Sequence, residues 1–148
     1  MTRQFEQTSS QPKVNVQFSH LDRRYQQNEN LLAHYEILDL SGSQVKAIEQ
    51  SVVWYTEGKG EEDLGVHFFQ RVEEKESTQS KMVAGSFQTD LPASPLSYEG
   101  IIVKVRWCVR IRIFFLSGKD FVSEHVFEMG SIPPAHHVIS RKTEGVEV

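Results

Sequence analysis

Four cationic side chains recur at alternating positions in one short stretch of this 148-residue chain. Lys104, Arg106, Arg110 and Arg112 lie in VKVRWCVRIRIF, residues 103–114. On a strand, alternate side chains share a face, so these four form a row about 26 Å long. Arginine binds carboxylate or phosphate through two parallel hydrogen bonds. The row therefore predicts a site for an extended acidic or phosphorylated protein segment.

The same row has two other interpretations. Cationic side chains on the solvent face of an antiparallel sheet commonly pair with carboxylates on neighbouring strands, and this structural role is the one that the pattern favours. The candidate partners are Glu36, Glu49, Glu124 and Glu128. Alternatively, the basic strand 104–112 binds a small anionic ligand or headgroup.

Trp54 is a further candidate for contact with a partner. It shares its strand phase with Val52, whereas Val53 and Tyr55 have the opposite phase, so one of the two aromatic side chains faces outward. An exposed aromatic side chain can anchor a partner. The alternative is that Trp54 packs between two sheets, as large aromatic side chains commonly do.

No residue pattern typical of catalysis, metal binding or cofactor binding occurs in the sequence. HExxH, CxxC, GxSxG, GxGxxG and the phosphate-binding GxxxxGK motif are all absent. The six histidines include no pair at the i, i+2 spacing that would place them on one strand face. The sequence therefore predicts a protein that is not an enzyme and that has no metal and no cofactor.

Composition limits the setting in which the chain works. Its net charge of -4 argues against nucleic-acid binding. Cys108 is the single cysteine, which excludes an internal disulfide and suits a reducing compartment. The sequence contains neither a run of 18 apolar residues nor an apolar amino-terminal segment, which predicts no transmembrane segment and a cytoplasmic location.

The elements that position these residues are predicted to be strands almost throughout. Val109, Ile111 and Ile113 alternate with the cationic row, so this strand has one core face. Pro92 and Pro95 deny the chain two backbone donors, which confines the segment that contains them to an edge or a crossover. The predicted strands are residues 14–18, 31–40, 45–56, 64–72, 82–89, 101–115, 121–129 and 138–141.

A hairpin is predicted where Ser-Gly-Lys-Asp separates the long strand from residues 121–129. Keeping the apolar side chains of both arms on one face requires a loop of odd length. We expect the loop to be residues 118–120. The expected pairs are Ile111 with Phe127, Val109 with Met129, and Arg110 with Glu128.

About eight short strands with turn residues between them predict an all-β fold, a two-sheet antiparallel immunoglobulin-like β-sandwich. A closed barrel is the structural alternative, because alternation does not distinguish closure from stacking. The expected organisation is a disordered leader over residues 1–12, one domain over 13–141 and a flexible tail over 142–148.

The order of several segments resembles the amino-terminal domain of the arrestin fold family, which includes arrestin-like retromer subunits. The leading strand VNVQF is followed by YQQNENLLAHYEI, with Tyr-x-x-x-Glu, and then by VVWYTEGKGEEDLGVHFF. LPASPLSYEG before VKVRWCVRIRIF is similar to the family's passage from a proline-rich segment into a strand with an aromatic and aliphatic centre. The resemblance covers residues 14–129.

The resemblance implies an adaptor or scaffold role, with one departure from the family's plan. Arrestins carry two sandwiches in tandem, whereas this sequence accounts for one, so it is expected to be a single-domain member. A lone sandwich has free edges, which accept a partner strand or a second copy of the chain. The expected partners are therefore a protein segment or, in a homodimer, the chain itself.

Overall fold

A computed structural model describes residues 11–60, 62–74 and 82–130, and every regular element in these ranges is a strand. The predicted strands within the described ranges are confirmed, with boundaries that differ by a few residues. Two very short strands, residues 24–25 and 98–99, were not predicted. The strands are β1 Lys13–Phe18, β2 Arg24–Tyr25, β3 Asn30–Leu38, β4 Val45–Gly58, β5 Leu64–Glu73, β6 Val83–Asp90, β7 Tyr98–Glu99, β8 Val103–Phe115 and β9 Asp120–Met129.

The strands form two sheets, so the sandwich is confirmed and the closed barrel is not observed. One sheet has the order β1-β3-β6, and the other has the order β2-β9-β8-β4-β5, with β7 paired to β8. All pairs are antiparallel except β2 with β9, which run parallel over two residues. Strand β5 lies at one edge of the larger sheet.

The core lies between the two sheets and contains the alternating apolar residues of the facing strands. On β8 the predicted core face is confirmed, because Trp107, Val109, Ile111 and Ile113 are buried. Phe127 of β9 packs close to side chains of both sheets: its ring centroid lies 5.8 Å from that of Phe18 and 6.0 Å from that of Trp107. The two-residue period of the sequence therefore produces one continuous inner layer.

The hairpin between β8 and β9 has a different register from the one predicted. Arg110 lies opposite Glu124, not Glu128, and the expected pairs of Ile111 and Val109 are wrong in the same way. The turn lies earlier than expected, because Gly118 donates its N–H to the Phe115 carbonyl at 2.9 Å with a φ of 97°. This left-handed position suits glycine. The loop still has odd length, so every apolar side chain keeps its predicted face.

The proline-containing segment crosses between the sheets, as predicted, because β6 belongs to the smaller sheet and β7 to the larger. Its Ser94-Pro95 peptide bond is cis. The indole Nε1 of Trp107 donates to the Pro95 carbonyl at 2.7 Å, which satisfies the polar atom of a fully buried side chain. Most of the predicted leader, the predicted strand at 138–141 and the predicted tail lie outside the described residues, so the domain boundaries stay predictions.

Candidate functional site

The predicted cationic row lies on the outer face of the larger sheet, where each of its members contacts a carboxylate. Even-numbered side chains of β8 point away from the core, as the strand period requires. Their neighbours on this face come from β4, β7 and β9. The ion pairs are Lys104 with Glu99, Arg106 with Glu57 and Glu99, Arg110 with Glu124, and Arg112 with Asp120.

The geometry of these pairs is close. Arg110 donates from Nε and Nη2 to the same oxygen of Glu124, at 2.9 and 2.6 Å. Arg106 Nε donates to Glu57 Oε1 at 2.7 Å, and this hydrogen bond raises the pKa of the guanidinium above its ordinary value. The structure thus brings the row together and also supplies its counter-charges.

Only one of the carboxylates proposed from the sequence pairs with the row. Glu124 contacts Arg110, whereas Glu49 contacts Arg71 at 2.9 Å and Glu128 lies 3.6 Å from Arg24. The acids that the sequence did not indicate lie at strand ends: Glu57, Glu99 and Asp120. Their positions opposite β8 depend on turn lengths and register, which alternation alone does not reveal.

Trp54 lies on the inner side of β4, where it is partly buried and packs against the core. Its ring covers Gly65 of β5, so closely that a Cβ atom at that glycine would collide with it. Tyr55 is the aromatic neighbour that lies on the outer face, beside Arg110 and Glu124. Contact between Trp54 and a partner stays a prediction.

Strand β5 presents the densest set of exposed apolar side chains on any described strand. Leu64, Val66 and Phe69 are 56%, 58% and 56% exposed. Two hydrogen bonds at the ends of the β4–β5 ladder, Thr56 N–H to the Asp63 carbonyl and Glu74 N–H to the Lys46 carbonyl, define which backbone groups point towards β4. In an antiparallel ladder these groups alternate, so the three exposed residues direct their N–H and C=O groups away from β4.

A cleft of about 370 Å³ opens on the outer face at the start of β5. Its charged lining comprises four carboxylates and one guanidinium, and the guanidinium of Arg110 is already bound by Glu124. Leu64 belongs both to this cleft and to the exposed apolar set of β5. The lining residues are Tyr55, Thr56, Glu57, Glu62, Asp63, Leu64, Arg110 and Glu124.

The sequence matches no family model and no curated protein. Among solved structures, the chain is similar to the crystal structure of Spo0M, a sporulation control protein from Bacillus subtilis. The TM-score is 0.54 at 13% sequence identity, and the match covers 82% of this chain and 50% of Spo0M. The fold is an arrestin-like β-sandwich. The chain therefore spans about half the length of the protein that it matches.

Ser123 and His125 on β9 are side chains of catalytic type that lie in contact with each other. Ser123 Oγ lies 2.7 Å from His125 Nε2 on β9, and burial, with a smaller contribution from Arg23, lowers the pKa of that imidazole. Within the ranges that the structure describes, no carboxylate forms an ion pair with His125, and no group of three or more His, Cys, Asp or Glu side chains could hold a metal ion. Among the described residues, the pair thus has no third, orienting carboxylate of the kind that completes a triad.

Cys108 carries the single thiol of the chain. Cys108 lies on the outer face but is buried beneath its neighbours, and burial raises the pKa of its thiol to about 12. The thiolate form needed for reaction is therefore suppressed.

The described part of the chain contains no helix of the length and apolar character that crossing a membrane requires.

Proposed function

We propose that this arrestin-like sandwich is a non-catalytic protein-interaction module that accepts a partner segment as an added strand at the free edge of β5. The observation that carries the proposal is the exposure of Leu64, Val66 and Phe69 on an edge strand with outward-directed backbone groups. Added strands gain affinity from backbone hydrogen bonds and selectivity from alternate side chains.

The edge of β5 lacks most of the features that protect edges from pairing. Natural edge strands are commonly short or interrupted by proline or charge. Strand β5 has ten residues and no proline, and the charged side chains within its bounds, Arg71 and Glu73, lie in its last three residues. A bulge opposite Val52 and Val53 is the one local irregularity. The apolar first half is therefore suited to pairing with an extended segment.

The alternative, an anionic ligand bound by residues 104–112, stays a prediction. Each of its four cations has a carboxylate partner within 3.2 Å. A ligand would have to replace those carboxylates, which offsets much of the electrostatic gain. Edge pairing needs no such exchange, because the outward backbone groups of β5 face no described strand.

The proposal is tested by selecting binders from a random dodecapeptide display library and measuring amide hydrogen exchange by NMR. In the free protein, the amides of Val66, Phe69 and Arg71 should exchange fast, whereas Gln70 and Val72, which point towards β4, should exchange slowly. A selected peptide, added as a synthetic probe, should slow the first set.

A matched pair of proline variants gives the control. Val66→Pro removes an outward N–H of β5 and should abolish peptide binding, because that backbone donor is lost and the edge is blocked. Gln88→Pro removes an outward N–H of β6, the edge strand of the smaller sheet, and should leave binding unchanged. Both variants are first compared with the parent by circular dichroism. Protection of another strand, or equal binding by Val66→Pro, would refute the proposal.

A further inference from the structure

The charges around the exposed edge of β5 are predominantly negative. The cations on the adjoining outer face are paired, and Arg71, within β5 itself, contacts both Glu49 and Glu73. In contrast, Glu62 and Asp63, which directly precede β5, have no ion-pair partner among the residues that the structure describes. Among the charged side chains that line the cleft at the start of β5, the two without an ion-pair partner are therefore carboxylates.

These carboxylates and the apolar edge form one surface. Glu62 and Asp63 line the cleft together with Leu64, and Leu64 begins the exposed apolar set that continues to Val66 and Phe69. The Asp63 backbone is fixed by Thr56, whose Oγ1 accepts its N–H at 2.8 Å and whose N–H donates to its carbonyl at 3.0 Å. The acidic end of the surface thus keeps a defined position next to the edge.

We infer that the added strand is cationic as well as apolar, with a Lys or Arg side chain placed in the cleft at the start of β5. This inference rests on the proposed function and names the chemistry of the partner. Apolar side chains at alternate positions of the partner cover Val66 and Phe69, because side chains on one face of adjacent strands meet across the ladder. The cation then pairs with Glu62 and Asp63, whose carboxylates have no ion-pair partner among the described residues.

Strand geometry restricts where the cation lies in the partner. Leu64 is two residues before Val66, so the cation lies about 7 Å along the added strand from the apolar residue that faces Val66. In an antiparallel partner this position is towards the carboxyl terminus, and in a parallel partner it is towards the amino terminus. Arginine suits the cleft better than lysine, because its planar fork can bind two carboxylate oxygens at once.

The inferred charge is opposite to that predicted from the basic row. From the sequence alone, a free basic row would favour an acidic or phosphorylated partner. In the structure, however, each of the four cations of the row already pairs with a carboxylate of the same protein. An acidic segment at β5 would meet Glu62 and Asp63 in a cleft whose guanidinium, that of Arg110, is already paired with Glu124. The two partner classes therefore predict opposite results in a binding experiment.

The experiment compares the display selection on the parent protein, on the Glu62→Gln/Asp63→Asn variant and on Glu36→Gln. Glu36 is an exposed acid on β3, in the other sheet, and gives the control for loss of a carboxylate. On the parent, selected peptides should combine alternating apolar residues with a Lys or Arg at one end. That charge preference should disappear on the double variant and persist on Glu36→Gln.

A synthetic peptide from the parent selection provides the quantitative arm. Its affinity, measured by fluorescence anisotropy, should fall about fivefold on the double variant, as expected for two partly exposed ion pairs. A copy with Gln in place of the cation should bind both proteins equally. The affinity of the cationic peptide should also decline as salt is raised, because exposed charges are screened.

The outcomes separate the inference from the proposed function. Peptides that protect β5 amides but show no charge preference, or that prefer Asp, Glu or phosphoserine, would overturn the cationic partner and leave edge addition standing. Absence of any peptide that protects β5 would overturn edge addition, and the inference would fall with it. Equal affinity for the parent and the double variant would also count against the cleft.

Discussion

At the scale of single residues, the surroundings of Cys108 on the outer face of the larger sheet explain why its thiol is expected to be unreactive. In the ladder, its neighbours are Val53 on β4 and Val126 on β9, so an apolar row lies between the flanking rows of ion pairs. Burial raises the pKa of the thiol from 9.0 to about 12, with Glu124 acting in the same direction and Arg110 opposing it. A thiol on an outward face is thus kept protonated.

We predict that Cys108 reacts with iodoacetamide at pH 8 only as the protein unfolds, because a thiolate fraction about a thousandfold smaller in the folded state accompanies this change in pKa. The same change in pKa sets the sign of the pH dependence of stability. Because the pKa of the thiol is raised in the folded state, the thiol's contribution to the free energy of unfolding is fully present below pH 9 and is lost as the pH rises towards 12. Urea unfolding should show this loss.

The Cys108→Ala variant serves as the control for the alkaline loss. It should have a shallower decline in unfolding free energy between pH 9 and 12, although not a flat one, because burial also raises the pKa of Tyr35 to about 12. Fast alkylation of the native parent, at a rate independent of urea, would show that Cys108 is accessible and would contradict this account.

At the scale of elements, β4 and β5 pack together where an aromatic ring of β4 covers a glycine of β5. Gly65 lies opposite Trp54, and Gly85 lies opposite Tyr35 in the other sheet. In both cases an added Cβ atom would collide with the ring. An aromatic ring that covers a glycine on a neighbouring edge strand restores the packing that the glycine lacks.

We predict that Gly65→Ala destabilises the protein by about 1–3 kcal/mol, because the methyl group overpacks the site under the Trp54 ring. In a Trp54→Leu background the same change should cost much less. A double-mutant cycle in urea checks the coupling between the two residues. If the two substitutions are additive, the contact does not stabilise the β4–β5 pair, and the placement of Trp54 loses its energetic basis.

Strands β8 and β9 show which features could be predicted from the sequence and which could not. The core face of β8 followed from alternation, because a period of two residues places alternate side chains together regardless of neighbours. The partner of Arg110 did not follow, since Glu124 and Glu128 have the same phase on β9 and differ only in register. That register depends on whether the turn begins near residue 116 or 118. The left-handed conformation of Gly118 decides it in the structure.

At the scale of the whole molecule, the two sheets are joined by aromatic contacts around Phe127. Its ring lies near Phe18 of the smaller sheet and near Trp107 and Tyr25 of the larger one, with centroid distances of 5.8, 6.0 and 5.7 Å. Buried aromatic pairs of this kind add to the free energy gained from area burial. Phe127 therefore stabilises the packing of one sheet on the other.

We predict that Phe127→Ala lowers the free energy of unfolding by about 3–5 kcal/mol, the range for truncation of a buried phenylalanine. Phe121→Ala on the same strand should cost clearly less, because Phe121 is only partly buried. Urea unfolding followed by tryptophan fluorescence measures both. If Phe127→Ala does not fold, Phe127→Leu takes its place in the comparison. An equal loss at both positions would contradict the inter-sheet role.

The sequence by itself determined the class of the fold, the two faces of the long strand and the absence of recognisable catalytic motifs. These are local properties, set by the two-residue period of a strand and by the chemistry of single residues. Only the tertiary structure decided which carboxylates neutralise the basic row, which strand is left at an edge and where Trp54 points. Those features depend on register, sheet order and turn length, which join residues that are distant in the chain. The basic row was therefore predictable as a row, but its pairing and the acidic, apolar edge of β5 were not.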